Sequence, residues 1–378
     1  MEAPRRGAGN RASDPPAPRV GILAGVKVVE FAGIGPAPFA AGVLAAHGAD
    51  VLTVHRPGAL PSVLEGVLDR GRHPLDLDLK DPAARARALD LLARADVLID
   101  PYRPGSLERL GLGPAEALAA NPRLVYARMT GWGQEGPLAG TAGHDITYTA
   151  ISGALGASAR YRERPVPPVN FVGDFGGGGM LLLFGIVCAL RDAERGGRGQ
   201  VVDAAMLDGS ALLTTMVHDL RASGSWPGPA GTNLLDTGAP FYDTYRTADG
   251  RFVAVGALEP AFYDALLAGL GLAADGLPDR DDPANWPTLR ERFTRVFATR
   301  TRDDWAARFA GTDACVAPVL DLDEAPVHPH TAARGTFAGD PPRPAPAPRF
   351  SRTPGTPPPV RTEADTAELL KRWFDGSG

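Results

Sequence analysis

Cysteine is almost absent from this chain: Cys188 and Cys315 stand far apart, and neither has a second thiol or a histidine at metal-ligand spacing. That excludes a disulfide framework and a zinc site, so no metal is expected, and a reducing cytoplasm is the expected compartment. Lysine is scarce too, at positions 27, 80 and 371 only, and 44 acidic residues against 39 basic ones leave a net charge of −5. A surface of that balance does not track a phosphate backbone, which excludes nucleic acid as a partner. No apolar run is long enough to cross a bilayer. The longest, "GMLLLFGIVCAL" at 179–190, lies between glycines and "RDAERGGR" and reads as a buried core helix, so no membrane partner is expected. The first 20 residues lack the apolar core of a signal peptide and read as a disordered tail. The terminal "DGSG" is no peroxisomal address.

What is present is ample core: 378 residues at 44% hydrophobic content suffice for two domains. From Val26 short β-branched runs alternate with amphipathic helical stretches: "VKVVEFA", "PFAAGVLAAHG", "DVLTVHR", "PLDLDL", "DPAARARALDLLARA", "DVLID". This βαβ rhythm predicts an α/β protein with a Rossmann-like parallel sheet and helices on both faces. A strand follows at 124–133, Asp174 opens a long helix to about Arg195, and "GQVVDAAMLDGSALL" gives one more strand and helix. We read 21–205 with 341–378 as the large domain, 206–240 as a linker helix, and 241–340 as a smaller α+β domain with a hairpin about "ADG". The proline-dense 340–360 reads as an extended return strap.

Several residues carry chemistry. "VVEFAGIGPAPFAAG" at 28–42 has Gly33 and Gly35 after a strand, but Pro38 occupies the third glycine position of a dinucleotide fingerprint. At the end of the second strand, where a carboxylate would bind a free ribose, stand His55 and Arg56. A basic residue there suits a phosphorylated ribose, as in NADP or coenzyme A, with Arg56 as a solvated loop residue the plainer alternative. Lys80, Arg103 and Arg109 add positive charge near strand ends and helix starts, where open sheets bind anions. "GDFGGGGM" at 173–180 lacks the Lys-Ser/Thr ending of a P-loop; its glycines allow close backbone approach. Asp174 is either a helix cap or a working carboxylate, and His144 either a cap or a proton carrier. "HPH" at 328–330 has no third ligand nearby and reads as surface loop.

Four longer motifs, "GHDITY" (143–148), "NFVGDFGGGG" (170–179), "GAPFYDTYRTADGRFVAVGALEP" (238–260) and "GTDACVAPVL" (311–320), together resemble the family III CoA-transferase superfamily, and within it the α-methylacyl-CoA racemases. The resemblance implies an interlocked homodimer acting on acyl-CoA, in which coenzyme A is part of the substrate and no separate cofactor is needed. It implies that His144 and Asp174 are two bases on opposite faces of the substrate α-carbon, with Glu259 of the other subunit holding the imidazole. Arg56, Lys80, Arg103 and Arg109 carry over as CoA contacts, joined by Gly143, Asp145 and Tyr148 around the thioester; Asn170 and Tyr242 support them from behind. Such a reaction removes a weakly acidic α-hydrogen and inverts the centre through an enolate. It needs a base, an acid, donors for the enolate oxygen, and an aspartate desolvated enough to approach the histidine's pKa. Two alternatives remain: a CoA-transferase in which Asp174 attacks the thioester to form an anhydride, and a non-catalytic acyl-CoA binder.

Overall fold

The computed structural model describes residues 21–58, 68–273 and 276–375; the tail expected over 1–20 lies outside them. Six strands form the main sheet: β1 Lys27–Phe31, β2 Asp50–His55, β3 Arg72–Asp76, β4 Val97–Asp100, β5 Val125–Thr130 and β6 Val201–Ala205. Their order is β3-β2-β1-β4-β5-β6, and every neighbouring pair is parallel. β4 and β5 are buried at every position, as parallel strands covered on both faces must be. The two-residue alternation of strand side chains divides the core. In register, Val28, Val51, Val97 and Val125 point to one face, against Ala40 and Leu44 of the helix Pro36–Ala46 and Leu182 and Ile186 of Leu181–Gly196. Val29, Leu52, Leu98 and Tyr126 point to the other, against Leu91 of the helix Pro82–Leu92 and Leu369 and Trp373 of Glu363–Asp375.

Proline punctuates these helices at their first turn, where its missing N–H costs nothing: Pro36, Pro82 and Pro114 each start one. Asp81 adds a side-chain cap, its Oδ1 accepting from the Ala83 N–H at 3.0 Å. The chain winds outward from β1 in one direction and from β4 in the other. The crevice between their carboxyl ends is therefore open.

Three expectations are corrected. Asp174 does not open an α-helix: residues Phe171–Met180 wind as a π-helix that runs into Leu181–Gly196, placing Asp174 inside the first element. The glycine run permits this wider winding and the close contacts it brings. A Cβ on Gly209 would overlap the Gly177 carbonyl. Nor is 179–190 buried all round: Leu182, Leu183, Ile186 and Ala189 face the core, whereas Phe184 is 68% and Val187 47% exposed. Joined to the π-helix, this segment makes one helical stretch of 26 residues, Phe171–Gly196, which by length and composition alone could cross a membrane. Residues 206–240, read as one linker helix, contain two short helices, Met206–Leu212 and Thr215–Ala222, followed by loop. The first packs on the π-helix, because Gly177 and Gly209 let the two backbones touch.

The smaller unit is a three-stranded antiparallel sheet, β7 Tyr242–Arg246, β8 Phe252–Gly256 and β9 Val316–Pro318, in the order β7-β8-β9. Gly250, at φ 80°, makes the turn of the β7–β8 hairpin. Helices Pro260–Leu270, Trp286–Phe297 and Arg302–Phe309 cover the sheet through Tyr263, Phe293, Phe297 and Trp305. The chain then returns in extended form. The Thr356 N–H donates to the Ala46 carbonyl at 2.9 Å and the Gly71 N–H to that of Pro359 at 2.7 Å, before the final helix closes the large domain.

Candidate active site

A cleft of about 600 Å³ lies at the carboxyl ends of β1, β4 and β5. Its walls come from the loop after β1 (Ile34, Gly35), the loop after β4 (Pro101–Pro104), the segment from Met129 to Trp132, and the start of the helix Asp145–Ile151. The π-helix closes it with Asn170, Asp174 and Phe175.

Asp174 is held from three sides. Its backbone N–H donates to Asp145 Oδ2 at 2.8 Å, which fixes the turn that carries it. Asn170 Nδ2, one turn earlier, donates to Asp174 Oδ2 at 3.0 Å. Gly35, at φ 69°, presents no side chain where a Cβ would stand 3.2 Å from the same oxygen. Burial raises the Asp174 pKa above the ordinary carboxylate range; the Asn170 hydrogen bond opposes the rise, the nearby Asp145 carboxylate adds to it, and His144 opposes it. Two neighbouring acids with a histidine close by set this carboxyl apart from an ordinary surface one.

His144 occupies the N-cap position of Asp145–Ile151, with its side chain exposed at the cleft. Its backbone is pinned by Thr147, whose Oγ1 accepts from the His144 N–H at 3.0 Å. Tyr148 lies one turn on, edge-on to Trp132 at 4.7 Å between centroids. Its ring needs Gly131 and Gly143 to be glycine: a Cβ on Gly143 would come within 2.5 Å of the ring. Burial, then the Asp174 charge, raises the Tyr148 phenol above its usual range, so it stays a neutral donor.

Of the twelve candidate site residues named from the sequence, six line the cleft: Arg103, Gly143, His144, Tyr148, Asn170 and Asp174. Six do not. Asp145, expected to face the thioester, is 6% exposed and turns inward to hold the Asp174 amide instead. Arg56 and Lys80 are exposed, one just past β2 and the other before the helix Pro82–Leu92. Arg109 is exposed on the short 3₁₀ turn Glu108–Leu110, with Nη2 3.3 Å from Ser106 Oγ. Tyr242 borders a separate cavity of about 700 Å³ with Arg160 and Trp226. Glu259, at the N-cap of Pro260–Leu270, is exposed, makes no capping bond, and does not line this chain's cleft. Sequence reasoning missed Trp132, Phe175 and Met206, which supply the cleft's apolar walls. The only signal for Trp132 was its place in "GWG", directly after a strand. "HPH" has a structural role: His328 caps the helix Pro329–Arg334, its Nδ1 accepting from the His330 N–H.

Known proteins resemble this chain along most of its length. Alpha-methylacyl-CoA racemase of Mus musculus is 47% identical over 358 residues, 93% of each chain, and that of Homo sapiens 46% identical over 338 residues, 89% of this chain and 88% of the relative. An acetyl-CoA:oxalate CoA-transferase of Acetobacter aceti is 31% identical over 341 residues, 84% of this chain and 86% of its own. The crystal structure of a CAIB/BAIF family protein from Brucella suis superposes with a TM-score of 0.77 at 25% identity, covering 93% of this chain and 99% of that one. Residues 23–364 match CoA-transferase family III, and the chain belongs to that family.

Proposed function

We propose that the protein inverts the α-carbon of 2-methylacyl-CoA thioesters by moving one proton off and another on, as a racemase. The single observation that carries this reading is that His144 and Asp174, from two different elements, line one cleft and Asp174 has a raised pKa. One base removes the α-hydrogen, the C–H electron pair delocalises onto the thioester oxygen, and the other group returns a proton to the opposite face. Positioned acid–base catalysis of this kind contributes about 10²–10⁴-fold. The first amides of the helix Asp145–Ile151 have no partner within the helix and suit the enolate oxygen. Arg103 at the mouth, with Arg56, Lys80 and Arg109 exposed on neighbouring loops, suits the phosphates of coenzyme A.

The reading includes a homodimer, with the partner subunit's Glu259 reaching the imidazole. Support comes from the exposed carboxylate of Glu259 and from the apolar face of Phe171, Met180, Phe184, Leu212, Leu213 and Met216, each at least half exposed in the single chain. The proposed compartment is the cytoplasm, to which two unpaired, exposed cysteines are suited.

Incubation with one epimer of a 2-methylacyl-CoA in D₂O tests the proposal. Deuterium should enter the α-carbon, with loss of configuration, in the absence of any acid acceptor, and H144Q should suppress it. Acyl exchange that requires a free carboxylic acid and is trapped by hydroxylamine would establish the transferase instead. CoA binding without either reaction would leave only a binder.

A further inference from the structure

Arg128 lies in the middle of β5, a strand buried along its whole length, and is 8% exposed. It does not line the cleft, although Met129 and Thr130 beside it do. Its guanidinium meets the Glu108 carboxylate and the Gln134 side-chain carbonyl, lies 3.9 Å from Asp100 Oδ2, and stacks over the Tyr126 ring at 5.3 Å. Three of these partners lie on segments that flank the site. Asp100 ends β4 and accepts the Tyr102 N–H at 3.0 Å, fixing the residue before Arg103. Glu108 starts the turn that carries Arg109. Gln134 sits on the loop that leads to Gly143 and His144, and its own N–H donates to Asp203 Oδ2 at 3.3 Å.

Burying a guanidinium beside the Asp100 carboxylate gains little over well-packed apolar residues, so its presence here calls for another use. The planar guanidinium offers several donors in a rigid fork. With them it bridges the turn at Glu108 and the loop at Gln134, two segments that no β-ladder joins. Tyr126 is a further side-chain tie from β5, its hydroxyl lying 3.3 Å from Asp100 Oδ2 and 3.1 Å from the Leu112 carbonyl.

We infer that Arg128 is a positioning residue that sets affinity for coenzyme A, by holding the loop bearing Arg103 and Arg109 at the height of the phosphates it receives. The inference rests on the acyl-CoA reading above. It predicts a loss greatest at the nucleotide end of the ligand, since Arg128 meets the turn bearing Arg109 directly, whereas Gln134 lies ten residues before His144, whose backbone Thr147 pins on its own.

The test compares the parent with R128M, R128K and E108Q, using titration calorimetry with free coenzyme A and α-deuterium exchange with two substrates. One substrate is the full acyl-CoA; the other is the S-acyl pantetheine, which lacks the nucleotide. R128M should bind coenzyme A about tenfold more weakly, equivalent to about 1.4 kcal/mol. Its KM for acyl-CoA should rise by the same factor, while kcat and the pantetheine kinetics move less than about twofold. R128K should recover part of the loss, and E108Q, altering only the partner nearest the surface, should show a smaller loss in the same sense. An unchanged affinity in both R128M and E108Q overturns the inference, as does an equal loss on both substrates. A parent chain that binds coenzyme A but exchanges no deuterium sinks the racemase reading alone, because the calorimetric comparison still decides the role of Arg128.

Discussion

Removing the Asn170 amide should move the working range of the enzyme towards higher pH. Asn170 Nδ2 donates to Asp174 Oδ2 at 3.0 Å, and a donor of this kind favours the ionised carboxylate. Hydrogen bonds to charged groups contribute about 1.5–3 kcal/mol, and the half-exposed setting of Asp174 puts this one at the low end. N170A should therefore raise the Asp174 pKa further above its ordinary value, because the donor that favours the charged form is gone. The assay is the pH dependence of kcat/KM for deuterium exchange, run separately on each epimer of the thioester, because that parameter reports the free enzyme. For the epimer whose proton Asp174 removes, activity appears as the carboxyl ionises, and this acidic limb should shift upward. The other epimer needs the tautomer with the same single proton shared between the two groups, so its profile has the same limbs and should shift upward in the same way. Limbs that stay put, or that move in opposite directions for the two epimers, would refute the assignment of Asp174 as one of two exchanging groups.

Asp100 is 4% exposed, and burial lifts its pKa from 3.8 to about 6 against the opposing pull of Tyr102, Arg128 and Tyr126. Between those values the folded chain holds a proton that the unfolded chain has released, so stability declines as pH rises towards 6 and the penalty is complete above it. D100N removes the titration; urea denaturation should show up to about 3 kcal/mol gained at pH 7 and a flatter pH dependence between about 4 and 6, and an unaltered slope would disprove burial of this carboxyl as the cause. G209A would press a methyl group into the Gly177 carbonyl and should cost about 1–3 kcal/mol, read as a lower Tm; a neutral result would mean that the two helices are free to separate. F184D, on the exposed apolar face of Leu181–Gly196, tests the proposed homodimer: it should sediment as a monomer in analytical ultracentrifugation where the parent sediments as a dimer, and a variant that stays dimeric would place the contact elsewhere.

The parallel sheet was legible because its strands are short apolar runs set off by proline and glycine, and burial on both faces leaves that pattern unmixed. The π-helix was not. Over ten residues, four of them consecutive glycines, no side-chain periodicity distinguishes a wider winding from an ordinary helix. The exposed side of Leu181–Gly196 was hidden for a different reason, since an apolar face left exposed in the single chain has the same composition as one packed on the core. At the site, His144 and Asp174 were legible through their motifs, while the inward turn of Asp145 depends on contact with a segment 29 positions away. Arg128 left a signal that could have been used: a charged side chain inside "LVYARMT", at the centre of an otherwise buried strand.

The closing of the large domain by the helix Glu363–Asp375 has a consequence for synthesis. Leu369 and Trp373 pack with Val29, Leu52 and Leu98, residues made more than 270 positions earlier. Until the helix Glu363–Asp375 has emerged from the ribosome, that side of the sheet lacks part of its cover, even with the helix Pro82–Leu92 in place. The small antiparallel unit, contained within one continuous stretch, has all its own residues available first. Nascent chains of this protein thus carry a half-finished apolar surface until that helix emerges, and a chaperone that shields it would act on β1 and β2 over that interval.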